Sequence, residues 1–322
     1  MKIQWAVPFR FIGGNAAGYT GSSINLRKAL QEIGVEITDS SKTVIHYCHP
    51  ADCFPVQGKK NILFTMYESE PVPPIFASRF KQVDAILTPT NFCKKLFEPI
   101  RANKPLLVSK LGFDQTIFTF KQREWDMTTP FQWLWLGSPN GRHGWGQVVR
   151  TWNTMFANKP FCHLFLKTSS ETGEGKLEHI GNTTFDNRMY SFEQIRDLYH
   201  SAHGFLHPIQ GAGFSLPIAE SLATGLPTIA TTYGGQSDFF DTQVGWVVRY
   251  EFKNIPMTDG GYLRAACADT IDLGRQMLEI MDDYPAALER AKRGADRMHT
   301  KWTWQNAARQ LAKNLERLGY DG

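Results

Sequence analysis

The stretch from Gly204 to Ala230 constrains the fold more than any other. A short apolar run ends in Gly204-Phe205-Leu206-His207-Pro208, and Gly211-Ala212-Gly213-Phe214 follows as a glycine-bearing loop. Ser215 and Pro217 then mark a helix start, with Ser215 expected as the capping residue and Pro217 at the first helical position. Ile218, Ala219, Leu222 and Ala223 share one face of that helix, Gly225 suits a left-handed C-terminal cap, and Pro227 forbids continuation. Thr228-Ile229-Ala230-Thr231 reads as the next buried strand. Strand, short loop, helix and strand in this order make a parallel βαβ unit. Its helix start offers unpaired N–H groups and a partial positive charge to an anionic ligand, with the Glu220 carboxylate deeper in the helix.

The rest of the chain repeats that grammar. Ile3-Gln4-Trp5-Ala6-Val7 leads into a loop with Gly13, Gly14, Gly18 and Gly21, and then into a helix expected to start at Ser22, with Leu26, Ala29, Leu30 and Ile33 on its apolar stripe and Gly34 at its end. Strands are expected at 35–37, 43–47, 61–65, 85–88 and 106–108. A polar connection from Thr119 to Pro130 precedes a second series, with strands at 132–137, 163–167, 204–206, 227–230 and 245–248. The expectation is an α/β chain of two doubly wound, Rossmann-like domains, residues 1–120 and 121–300, facing a central cleft. A last helix within 301–322 carries Ala308, Leu311, Ala312, Leu315 and Leu318 on one stripe and can pack back on the N-terminal domain.

Composition excludes several classes. With 322 residues and 42% hydrophobic content, two cores fit. No run of about 18 apolar residues exists, and the N-terminus is not a signal peptide, so a cytoplasmic location is expected. Five scattered cysteines fit reduced thiols. His46, Cys48, His49 and Cys53 have metal-like composition but no standard zinc spacing, so no metal site is expected. Residues 1–120 hold 14 Lys and Arg against 9 Asp and Glu, leaving 21 against 22 for the remainder. The excess between Arg79 and Lys110 is either a solvated face or a pull on an anionic partner.

Five segments, in order, carry a resemblance. They are Thr65-Met66-Tyr67-Glu68-Ser69-Glu70-Pro71, then 85–93, then Leu111-Gly112-Phe113-Asp114-Gln115-Thr116-Ile117-Phe118, then Leu136-Gly137-Ser138-Pro139-Asn140-Gly141-Arg142-His143-Gly144-Trp145, and finally the stretch from Gly211 to Glu220. Together they resemble the retaining glycosyltransferases of the GT-B fold, the large family of bacterial mannosyltransferases and of sucrose and glycogen synthases, over most of the chain. The resemblance implies a metal-independent transferase. It would move a hexosyl or pentosyl group from a nucleotide-sugar co-substrate to a hydroxyl acceptor, with no further cofactor. Absence of any Asp-x-Asp triplet fits this.

Position by position, Glu220 matches the signature glutamate that accepts hydrogen bonds from the donor's ribose, and Arg142 with Lys167 matches the cationic pair on the diphosphate. Gly213, Phe214, Ser215 and Leu216 would turn backbone amides to the sugar. Tyr233 and Gly234 form a second turn beside the nucleotide, and Gly13 and Gly14 match a loop that approaches the phosphates. Glu68 stands near the acceptor as base, orienting group or structural residue.

Two departures matter most. Ala212 replaces the first glutamate of the E-G-F-G-L-P-x-x-E signature, which implies an altered donor, a substitute such as Gln210, or lost catalysis. His143 replaces the lysine of an R-K-G turn, so phosphate affinity is expected to depend on pH. The acceptor stays open among glycan, protein, small molecule and DNA, the last as in phage-type transfer to a hydroxymethylated base. A nucleotide-sugar-binding module without turnover is the alternative of another class.

Overall fold

A computed structural model describes residues 1–8, 17–139, 142–168, 175–256 and 261–320. The chain divides into two compact units, one of Met1–Asp114 with Lys301–Gly322 and one of Gln115–Thr300. The division falls at 114/115, against 120/121 in the sequence reading.

The first unit contains β1 (Lys2–Ala6), α1 (Ala17–Glu32), β2 (Glu36–Ile37), β3 (Thr43–Tyr47), β4 (Lys60–Phe64), α2 (Pro74–Phe80), β5 (Ala85–Thr88), α3 (Asn91–Phe97) and β6 (Leu106–Val108). Its parallel sheet runs β2-β1-β3-β4-β5-β6. Every residue of β3 and β5 is buried, which is why those strands read as unbroken apolar or small runs rather than as alternation. Leu26, Ala29 and Leu30 bury one stripe of α1. Ser22 does not start that helix. It lies buried within it, donating to Gly18 O and accepting from the Tyr47 hydroxyl at 2.7 Å, because the helix already begins by Ala17.

The second unit contains β7 (Phe131–Leu136), α4 (Trp145–Met155), β8 (Cys162–Lys167), β9 (Leu177–Ile180), β10 (Thr183–Asp186), α5 (Phe192–Ser201), β11 (Gly204–His207), α6 (Leu216–Ala223), β12 (Thr228–Ala230), β13 (Trp246–Val247), β14 (Tyr250–Pro256), β15 (Tyr262–Ala268), α7 (Thr270–Asp282) and α8 (Tyr284–Lys301). Its sheet runs β13-β12-β11-β7-β8-β10-β9. All neighbours in it are parallel except β9, which pairs antiparallel with β10. Phe131, Trp133 and Trp135 of β7 anchor its core with Trp152, Leu164, Leu206 and Ile229. At about 25 cal/mol per Å² of apolar surface, each buried indole contributes several kcal/mol before entropy is counted. β9, β10 and the antiparallel hairpin β14–β15 were not expected from the sequence.

α9 (Trp304–Arg317) returns to the first unit, burying Trp304, Ala307, Ala308, Leu311 and Leu315. Gln310 accepts from Lys110 N at 3.0 Å and Asn314 donates to Val108 O at 2.8 Å, so side-chain amides tie this helix to the edge strand β6.

Candidate functional site

The candidate residues of the second unit lie around the carboxyl ends of β7, β8, β11 and β12, where parallel sheets leave backbone groups and loops open to ligands. α6 begins at Leu216, with Pro217 second rather than first. Ser215 holds the N-cap position, but no side chain caps this helix. Its φ of 77° is left-handed, so its hydroxyl is turned away from the capping geometry, and Oγ is buried without a hydrogen-bond partner among the described residues. The other end follows expectation. Gly225 has φ 71°, its N–H reaches Leu222 O at 2.8 Å, and Leu226 N–H reaches Ser221 O at 3.1 Å, the paired bonds of a Schellman stop.

Glu220 is half-buried on α6 and accepts from the Tyr199 hydroxyl at 3.2 Å. Burial raises its pKa from 4.5 to about 8, with the Tyr199 bond opposing the shift. A carboxyl so placed is largely protonated at neutral pH and becomes a two-site acceptor when hydroxyl donors arrive.

The 208–215 loop is pinned from two sides. Gln210 N–H donates to Arg142 O at 2.7 Å, and Ala266 N–H of β15 donates to Gln210 O at 2.9 Å. Gly235 N–H donates to Ala212 O at 2.6 Å, joining the loop to the Tyr233-Gly234 turn after β12. Ala212, Gly213 and Phe214 are buried there, and Phe214 packs on Phe239 with ring centroids 5.1 Å apart. Arg142, His143, Gly213, Phe214, Ser215, Leu216, Glu220, Tyr233 and Gly234 thus belong to one set of loops and one helix.

Two side chains at this site have surroundings that the sequence does not show. The His143 ring is held neutral, because burial and the neighbouring Arg142 push its pKa down to about 4, so no protonation step of this imidazole falls near neutral pH. Lys167 is 3% exposed, and its ammonium donates to Thr168 O, to Arg188 O at 2.6 Å and to Asp186 O at 3.4 Å. Its three N–H donors meet three carbonyl acceptors of the protein. Asp186 sits beside it in register, and burial works against that carboxylate. Hydrogen bonds from Arg188 and from Tyr190 at 2.9 Å nonetheless keep its pKa below the usual range. Arg188 and Tyr190 were missed from sequence, since nothing local signals their pairing with a strand end.

Gly13 and Gly14 lie outside the described residues. In the first unit, half-buried Glu68 follows a segment held by the Tyr19 hydroxyl, which accepts from Met66 N–H at 3.1 Å, and by the Cys93 thiol, which donates to Tyr67 O at 3.2 Å. His46 Nε2 is bonded to Asn61 Oδ1 at 2.9 Å and His49 Nδ1 accepts from Ala51 N–H at 3.2 Å. Among the described residues no group of His, Cys, Asp and Glu is placed to hold a metal. No helix there is long and apolar enough to cross a membrane.

Residues 177–311 match the family described as "Family 4 Glycosyltransferase in conflict systems". Solved structures agree in architecture over nearly the whole chain. Sucrose-phosphate synthase from Thermosynechococcus elongatus superposes with a TM-score of 0.73 at 13% identity, covering 100% of this chain and 99% of that one. This is a glycosyltransferase of the GT-B fold. The GT-B chain also resembles Anabaena HepE, solved in complex with UDP and glucose, with a TM-score of 0.69 at 11% identity over 98% of this chain and 100% of that one. WaaG, a glycosyltransferase involved in lipopolysaccharide biosynthesis, gives a TM-score of 0.64 at 11% identity over 96% and 98%. A viral protein named "Putative glycosyltransferase 45", from Sulfolobus islandicus filamentous virus (isolate Iceland/Hveragerdi), is 23% identical over 248 residues, covering 69% of this chain and 68% of its own length.

Proposed function

We propose that this glycosyltransferase takes a sugar from a nucleotide-sugar donor bound by the second unit and passes it, with retention of anomeric configuration, to a hydroxyl acceptor. The observation that carries the reading is Glu220, set half-buried on α6 beside the Tyr199 hydroxyl, where its carboxylate can accept from two ligand hydroxyls. In this reading the ribose hydroxyls donate to Glu220, and the diphosphate lies at the uncapped start of α6 near Arg142. Negative charge grows on the departing diphosphate, so fixed donors and a guanidinium there stabilise the transition state more than the ground state. HepE's complex with UDP and glucose, in a chain of the same fold, supports a nucleotide-sugar donor. The first unit is assigned to the acceptor, with Glu68 as base or orienting group. Metal independence and a cytoplasmic location are part of the proposal, the latter supported by five free cysteines.

A second reading, donor binding without turnover, is favoured by Ala212, which leaves the loop without a carboxylate at that position. Mass spectrometry of products after incubation with mixed nucleotide sugars and acceptors, DNA included, separates the two. Transfer or donor hydrolysis lost on Glu220→Ala supports the enzyme. Nucleotide binding without any product over a broad panel leaves the binding module, and absence of any nucleotide binding overturns both.

A further inference from the structure

We infer that Gln210 and Gln236 form a neutral pair of hydrogen-bond acceptors that selects the donor through the hydroxyls of its transferred sugar. The inference rests on the nucleotide-sugar reading above and names what that reading leaves open at Ala212. Both residues are at least nine-tenths buried, Gln210 at 5% and Gln236 at 0% exposure, yet each has an Oε1 with no hydrogen-bond partner among the described residues. Leaving such an oxygen unsatisfied costs about 1–3 kcal/mol, so two of them flanking one loop call for something other than protein.

Their orientation is not arbitrary. Gln236 Nε2 donates to Tyr233 O at 2.9 Å and to Thr231 O at 3.1 Å, which settles which end of the amide is nitrogen and turns Oε1 away from the strand. A Cβ built on Gly234, whose φ is 131°, would meet Gln236 Oε1 at 2.5 Å and Ala212 N at 2.8 Å, so this oxygen and the backbone of Ala212 both flank Gly234. Gln210 is two residues before Ala212, and its main chain is held by backbone bonds to Arg142 and Ala266. A third uncommitted group, Ser215 Oγ, stands three residues after Ala212 at the start of α6.

The chemistry of this set decides the ligand class. Amide oxygens accept and do not ionise, so they suit O–H donors and give no attraction to a cation. A ligand carboxylate placed against these two oxygens would meet acceptors, and the Gln236 amide nitrogen is already committed to Thr231 O and Tyr233 O. With the diphosphate at the start of α6, the group joined to it is the one that reaches the Ala212 end of the loop. A neutral, hydroxyl-bearing sugar fits, and a uronic acid does not.

The test measures binding of UDP, GDP and ADP and of the matching neutral donors UDP-glucose, GDP-mannose and ADP-glucose to the wild type and to Gln210→Leu and Gln236→Leu. For the nucleotide that binds, each variant is expected to lose about tenfold in affinity for the nucleotide sugar while keeping its affinity for the nucleoside diphosphate. Deoxy-sugar donors on the wild type give a readout that needs no variant, with about the same loss for the analogue lacking the contacted hydroxyl. The corresponding UDP-glucuronate is expected to bind no better than UDP alone. Equal weakening of both ligands, an unchanged preference, or tighter binding of the uronate overturns the inference and leaves the donor reading standing. If no nucleotide binds the wild type, the donor reading itself falls.

Discussion

Two corners of the second unit, both at strand ends of one sheet, are built in opposite ways. At the ends of β8 and β10 the ionic groups satisfy one another. Lys167 is saturated by carbonyl oxygens, Asp186 is held by Arg188 and Tyr190, and the Lys167 ammonium lies 4.3 Å from the Tyr190 ring centroid. At the ends of β11 and β12 the polar groups are neutral or neutralised, and Gln210, Ser215 and Gln236 keep atoms without partners. Charge that is buried and paired reports the cost of folding, whereas buried polarity that is left over reports a ligand. A lysine at a strand end is therefore a weaker pointer to the diphosphate than its position in the sequence suggests.

The contrast can be broken most decisively at Asp186. Asp186→Ala removes the carboxylate that Arg188 and Tyr190 bond and leaves the buried Lys167 ammonium without its counter-charge, and is expected to lower stability by about 3–5 kcal/mol in urea unfolding, with nucleotide affinity of the folded fraction unchanged. A large loss of affinity at intact stability would return this corner to the donor site. Arg142→Ala is expected to do the reverse, lowering kcat/KM with the preferred donor by about 2–4 kcal/mol, roughly 30-fold to several hundredfold, with little change in melting temperature.

Glu220 sharpens the comparison through pH. Its carboxyl takes up a proton more readily folded than unfolded, so its contribution to stability is complete below about pH 4.5 and is lost as pH rises through about 8. Glu220→Gln is accordingly expected to gain on the wild type by about 2 kcal/mol between pH 5 and 9, a figure discounted for partial exposure, as read from melting curves across that range. Donor affinity of the wild type should rise over the same interval and that of the glutamine variant should not. The smallest effect is at Ser215, where Ser215→Gly removes the left-handed strain and is expected to add about 1 kcal/mol of stability, measured by the urea midpoint.

Much of this was legible locally. β3, β5 and β6 occupy the residues expected for them, and β11 with α6 and β12 follow the punctuation of Gly211, Pro217, Gly225 and Pro227. The hairpin β14–β15 was not legible, because β14 is mostly exposed and carries Lys253 and Asn254, and the more buried β15 is interrupted by Arg264 where a core run would be apolar. β9 is exposed along its whole length and gave no burial pattern to read.

Sequence alone determined the alternation of strands and helices, the βαβ unit around Glu220 and the oddity of Ala212, since apolar runs, caps and stops act over neighbouring residues. Tertiary structure alone decided what the polar residues do. The register of β10 on β8 sets Asp186 beside Lys167, 19 residues apart in the chain, and thereby gives that lysine acceptors within the protein. The pairing of β11 with β12 and the bond from Gly235 to Ala212 bring Gln236 to a loop more than twenty residues earlier. Hydrogen-bond satisfaction is a property of where strands align, and no local pattern of residue types encodes it.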